Sequence, residues 1–107
     1  MVMEAALRAI AEPRRRRILQ LVWEQELSAG EIASQFEVTR PAISQHLAVL
    51  KEAGLVDERR NGTRRLYRAR PQGLVELKVY LDGFWGERLG ALQRDAEREE
   101  RKGGKHD

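Results

Sequence analysis

Two amphipathic helical stretches with almost nothing between them constrain this chain more than any other feature. In "SAGEIASQF", Ser28 can cap a helix with Glu31 at the N3 position of a capping box, and Ile32, Ala33 and Phe36 give it a narrow apolar side. Only "EVT" separates it from the next stretch, "RPAISQHLAVLKEAG", which Thr39 can cap, Pro41 can open and Gly54 can end in the left-handed conformation. Ile43, Leu47 and Leu50 fall at i, i+4 and i+7, one face of a helix. The opposite face of its first two turns carries Arg40, Ser44, Gln45 and His46 and no acidic residue. A helix N-terminus is already electropositive, so acidic residues would be the stabilising choice there. That face is built to meet something outside the chain.

Upstream, "MEAALRAIA" reads as a short helix with Ala6, Leu7, Ile10 and Ala11 as its apolar stripe. Pro13 opens a second helix whose buried face is expected to be Ile18, Leu21 and Val22. Four consecutive helix residues point in four directions, so Arg14–Arg17 are expected to be half structural, one or two reaching the DNA backbone and the rest pairing with Glu residues. Downstream of Gly54 the period changes to that of strands. "LVDERR" and "RRLYRAR" flank Asn61–Gly62, a strong hairpin signal, and a two-residue turn there sets Val56 opposite Tyr67 and Glu58 opposite Arg65. After Pro71, Leu74, Leu77, Leu81, Trp85, Leu89, Leu92 and Ala96 recur at three- and four-residue steps. They predict a helix over residues 72–97, about 39 Å long at 1.5 Å per residue. The expected organisation is one domain over residues 1–97 and a disordered tail over 98–107.

A domain of about 100 residues has a radius of gyration of only about 13 Å. The last helix outruns it while still carrying Leu81, Phe84, Trp85, Leu89 and Leu92, so that stripe is expected to be an interface. The competing arrangement folds the helix back at Gly83 or Gly86 over its own core.

Helix, tight turn, helix and β-hairpin in that order make a mainly α fold with a small β-hairpin wing, a winged helix-turn-helix. Its natural partner is double-stranded DNA. Arg40 can fork onto a guanine edge, Ser44 and Gln45 can reach adenine or a phosphate, and the small Ala42 and rigid Pro41 permit close approach. The tip "RRNGTRR" crowds Arg59, Arg60, Arg64 and Arg65 around the turn, suited to phosphates or a narrow minor groove. Charge supports this mildly. Residues 1–70 hold 13 Lys and Arg against 9 Asp and Glu, whereas residues 71–107 hold 7 against 8. The alternative is a winged helix that binds only protein; an acidic or apolar face on the fourth helix would favour it.

Other classes fit poorly. There is no cysteine and only two His, so thiolate metal ligands, disulfides and thiol chemistry are absent. No glycine-rich phosphate loop follows a strand, and no paired carboxylates mark a pocket, so no enzyme is expected. No cofactor is expected either. The start "MVMEAALRAIAEPRRRR" lacks the order of a secretory signal, and no run reaches the ~18 apolar residues of a membrane span, so a cytoplasmic protein is expected.

From about Leu7 to Leu92 the chain resembles the arsenical-resistance repressor (ArsR) family of winged-helix regulators. "AIAEPRRRRILQLV", "LSAGEIASQFEVTRPAISQHLAVLKEAGLV" and "RRNGTRRLYRARP" carry the likeness, the middle segment most specifically. The resemblance implies a homodimeric repressor on a palindromic operator, its recognition helices in successive major grooves, dimerising through its terminal helices. It carries DNA contacts onto Arg40, Pro41, Ser44, Gln45 and His46, and wing contacts onto Asn61, Gly62, Thr63, Arg64 and Arg65. The dimer interface would use Leu7 and Ile10 with Leu81, Phe84, Trp85, Leu89 and Leu92. Two departures stand out. Metal-binding members carry two cysteines after a Glu-Leu pair, where "ELSAGEI" has Ser28 and Gly30. Others use Asp and His on the last helix, which here has no His before His106. The chain therefore resembles the non-metal branch, whose members repress their own operons or answer organic or unidentified signals.

Overall fold

The computed structural model describes residues 3–103. The elements are α1 (Met3–Ala11), α2 (Pro13–Leu21), β1 (Leu27–Ser28), α3 (Ala29–Ala33), α4 (Arg40–Glu52), β2 (Val56–Asn61), β3 (Arg64–Ala69) and α5 (Pro71–Gly103). They divide into two compact units, Met1–Leu77 and Lys78–Asp107.

In the first unit, local chemistry sets the helix ends. Glu12 caps α2 by accepting from the Arg15 N–H, with Pro13 in the first turn. The Ser28–Glu31 capping box of α3 forms in both directions, at 2.9 and 3.1 Å. Thr39 Oγ1 accepts from the Ala42 N–H to start α4. At the far end Gly54 has φ 77°, the Gly54 N–H donates to the Lys51 carbonyl and the Leu55 N–H to the Leu50 carbonyl. That is a Schellman closure, and it requires a residue tolerant of positive φ. α3 is shorter than expected: regular helix ends at Ala33, and Gln35 and Phe36 close tighter turns onto Ile32 and Ala33.

The buried core is Ala6 and Ala9 of α1, Ile18, Leu19 and Val22, Ile32 of α3, Ile43, Leu47 and Leu50 of α4, then Ala53, Leu55, Val56, Leu66, Tyr67, Ala69 and Leu77. Two faces differ from expectation. α2 turns Leu19 inward and leaves Leu21 half-buried, while α1 buries Ala6 and Ala9 and leaves Leu7 and Ile10 half-buried and Ala11 exposed. Small residues on α1 let it lie close to α2, and its larger ones sit at the margin.

The arginine run has a different role from pairing with Glu. Arg15 donates to the Ala9 and Arg8 carbonyls at 2.7 and 3.0 Å, and Arg16 to those of Ile10 and Ala11 at 2.7 and 3.1 Å. These are the last four carbonyls of α1, which have no partner within the helix. Two guanidinium groups at that negative end also oppose the helix dipole. Arg17 lies 4.7 Å from the Phe36 ring centroid.

The sheet has order β1-β3-β2 and is antiparallel throughout. The short β1, not foreseen from sequence, pairs Leu27 with Tyr67 and Ser28 with Leu66. The hairpin register is corrected. Val56 faces Ala69, Glu58 faces Tyr67 and Asn61 faces Arg64, so Gly62 and Thr63 form the turn. Gly62 has φ 66° and, among the described residues, no non-glycine has positive φ, the pattern of a type II′ turn with glycine first. The expected Glu58–Arg65 pair survives diagonally at 3.9 Å.

In the second unit, α5 continues unbroken through Gly83, Gly86 and Gly90 to Gly103, so the chain does not fold back at either of the first two. Residues 98–103, expected as tail, are helical; 104–107, His106 among them, lie outside the described residues. Helix-favouring residues and the local Gln93–Glu97 and Asp95–Arg98 contacts extend the helix past Glu97. Tyr80 stacks on Phe84 at 6.0 Å, Trp85 meets Phe84 edge-on at 5.7 Å, and Arg88 lies 5.0 Å over the Phe84 ring. Phe84, Trp85, Leu89 and Leu92 are 43 to 62% exposed, and Leu81 is half-buried.

Candidate nucleic-acid interface

The helical period sorts α4 into two sides. Ile43, Leu47 and Leu50 are fully or almost fully buried and anchor it. Arg40, Pro41, Ser44 and Gln45 lie exposed on the first two turns. The Thr39 cap fixes where α4 begins and so where Arg40 stands. The Arg40 guanidinium passes over Gly30, its Cζ 3.8 Å from where a Cβ would be.

His46 sits apart from this exposed group. Half-buried, it has Nδ1 3.4 Å from an Arg15 amino nitrogen and Nε2 4.0 Å from Glu12 Oε2. The ring thus lies between the Arg15 guanidinium, which can only donate, and the Glu12 carboxylate, which can only accept. Burial alone would raise the Glu12 carboxyl, but the Arg15 and Arg14 N–H groups and His46 outweigh it and hold it below the usual range.

A groove of about 870 Å³ runs between the start of α3, the outward side of α4 and the hairpin. Arg40, Ser44, Lys51, Thr63, Arg64 and Arg65 contribute to its lining. Sequence reasoning stopped at the second turn of α4 and missed Lys51. The signal was present, because positions 40, 44, 48 and 51 share one helical stripe. Lys51 lies 3.5 Å from Glu58.

The wing arginines fall into three kinds. Arg59 grips Glu26 with two bonds of 2.8 Å, and that grip holds the Glu26 carboxyl below its usual range. Arg64 pairs with Glu31, and Arg65 lies near Glu58. Arg60 has no salt-bridge partner among the described residues and stands directly across the hairpin from Arg65. Two cations opposed on neighbouring strands repel each other, and a polyanion relieves that repulsion. Asn61, Gly62 and Thr63 make the exposed tip.

Among the described residues no three of His, Cys, Asp or Glu gather where they could hold a metal ion. Nor is any helix among them long and apolar enough to cross a membrane.

A recognition helix anchored by one face, open on the other and flanked by a cationic two-stranded wing defines a winged helix-turn-helix regulator. Comparison with known proteins gives the family. The model described as bacterial regulatory protein, arsR family, matches residues 12–58. The HTH-type transcriptional regulator Rv2034 of Mycobacterium tuberculosis is 46% identical over 82 residues, covering 77% of each chain. The transcriptional repressor SdpR of Bacillus subtilis is 40% identical over 60 residues, 56% of this chain and 67% of its own. A solved structure described as a possible transcriptional regulator for arsenical resistance superposes with TM-score 0.74 at 47% identity, over 83% of this chain and 93% of that one. The chain belongs to the arsR family of bacterial helix-turn-helix transcriptional regulators.

Proposed function

We propose that this DNA-binding regulator works as a cytoplasmic homodimeric repressor that reads an imperfect palindrome and catalyses no reaction. The first turns of α4 enter the major groove, and the β2–β3 hairpin follows the adjacent backbone or minor groove. One observation carries the reading: the exposed side of α4's first two turns is polar, bears Arg40 and has no carboxylate. A protein-binding face would gain affinity from apolar anchors, and Arg40, Pro41, Ser44 and Gln45 supply few.

Within the site, the Arg40 fork reads a base edge, Ser44 and Gln45 read or position, and Arg60 and Arg65 neutralise phosphates. His46 contributes chiefly by fixing α4 against α2. Arg59 acts as a brace for the wing, since Glu26 occupies its fork. The second copy docks along the apolar stripe of α5, with Leu7 and Ile10 of α1 at the same interface. The domain accordingly reaches beyond residue 97. The releasing signal acts without a thiolate site, because the chain has no cysteine.

Replacing Arg40 with Ala should cost about 1–3 kcal/mol on the preferred site and relax selection at one base position. Titrations on operator and random duplexes measure this. An equal loss on both would reduce Arg40 to a phosphate contact.

A further inference from the structure

Among the cations around the groove, one carboxylate is held in place from two sides. Glu31 Oε1 accepts from the Ser28 N–H at 2.9 Å, while the Glu31 N–H donates to Ser28 Oγ at 3.1 Å. The same Oε1 accepts from the Arg64 guanidinium. The cap on α3 holds Glu31 whether or not Arg64 is there, so the carboxylate stays tied to the helix end. Arg64 is free to swing aside, because its side chain is 54% exposed and extends from the wing into the groove. An exposed ion pair of this kind is weak and exchanges readily. The neighbouring Gly30 lies beneath Arg40, another of the cations expected to face DNA.

We infer that Glu31 is a positioning residue acting through Arg64: an internal stand-in for a DNA phosphate, which Arg64 leaves when DNA arrives. The inference rests on the DNA-binding reading above. In the free protein, Glu31 holds the Arg64 fork at the edge of the groove, where a phosphate oxygen can take over its N–H groups. Once Arg64 has moved, the carboxylate remains and faces the polyanion. It then subtracts about one charge from the attraction to any duplex and leaves base readout by Arg40 untouched. Glu31 thereby holds down binding to DNA at large. The Arg59–Glu26 grip differs, since both arms of the Arg59 fork are engaged and neither carboxylate oxygen serves a helix cap.

Glu31→Gln tests this cleanly, because Gln at N3 also completes a capping box. Affinity for a short random-sequence duplex and for the selected operator should both rise, roughly three- to tenfold near 0.1 M salt. The log–log salt slope should steepen by about 0.9, the value of one added charge. In an Arg64→Ala background the same substitution should gain less, because the carboxylate's repulsion is still relieved but no Arg64–Glu31 pair has to be broken. Unchanged or weaker binding with an unchanged slope would make the pair a structural clamp and overturn the inference, as would an equal gain with Arg64 absent. A thermal melt confirms that the variant is folded. Independently of Glu31→Gln, Arg64→Ala alone should flatten the slope by about 0.9, and a slope it leaves unaltered counts against the exchange. Failure of the wild-type protein to bind any duplex would overturn the functional reading instead.

Discussion

Replacing Trp85 and Leu89 together with Asp is expected to abolish specific DNA binding and leave the protein monomeric or unfolded. Both side chains are open to solvent on the described chain, 43 and 55% exposed, alongside Phe84 and Leu92. Such a stripe left uncovered invites aggregation, and a second copy is the cover proposed for it. Two carboxylates placed in that interface would have to be desolvated without partners, a cost that marginal stability does not absorb. If the proposed dimer is lost, one recognition helix and one wing remain, too few contacts to select a site. Sedimentation and operator titration give the outcome together. A variant that stays dimeric and keeps operator affinity would move the interface elsewhere, with α1 the next candidate.

The second large effect is on stability. Ile43→Ala removes a fully buried side chain from the anchored face of α4, one position from Ala42 and Ser44 on the open side. Truncating a buried Ile to Ala costs about 2–5 kcal/mol in lost transfer energy and residual cavity. That is a large share of the 5–15 kcal/mol by which domains are typically stable. Denaturant titration should show a lower midpoint with little change in slope. DNA affinity should recover when the folded fraction is restored by cooling or by excess operator, since Ile43 does not face the groove. A variant of wild-type stability would contradict the assigned core.

The parts legible in the sequence are those governed by short-range chemistry. Ser28 with Glu31, Thr39 and Gly54 each announce a helix end through bonds that span only a few residues, and each end is found where its residue stands. The i, i+4, i+7 spacing of Ile43, Leu47 and Leu50 likewise fixes which side of α4 is buried, and so which side is left for a partner. The hairpin register was harder. Asn61–Gly62 suits a type I′ turn and Gly62–Thr63 a type II′ turn, and the two registers differ by two residues. Such a shift leaves every side chain on the same face, so alternation could not separate them. The misses lie in contacts between distant residues. Leu27 pairs with Tyr67, and Glu26 and Glu31 each meet an arginine 33 positions away. Nothing local marks those carboxylates as partners of the wing. Arg15 and Arg16 escaped for a related reason. Their acceptors are backbone carbonyls brought near by the reversal at Glu12–Pro13, and a carbonyl leaves no trace in a search for acidic partners.

The same contacts change how the basic tip is counted. Four arginines crowd the turn in sequence, yet Arg59 is committed to Glu26, Arg64 is shared with Glu31 and Arg65 lies more loosely by Glu58, leaving Arg60 most available to phosphate. Net charge overstates the interface, and the ion pairs say by how much.

The most direct test of the central claim is selection of bound sequences from a random pool of duplex DNA by the untagged wild-type protein. Enrichment of an imperfect palindrome is expected, with half-sites about one helical turn apart, roughly 34 Å or 10 base pairs, and a discriminated base in each half that relaxes in Arg40→Ala. Recovery of no preferred sequence, or of a single site without twofold symmetry, would contradict it.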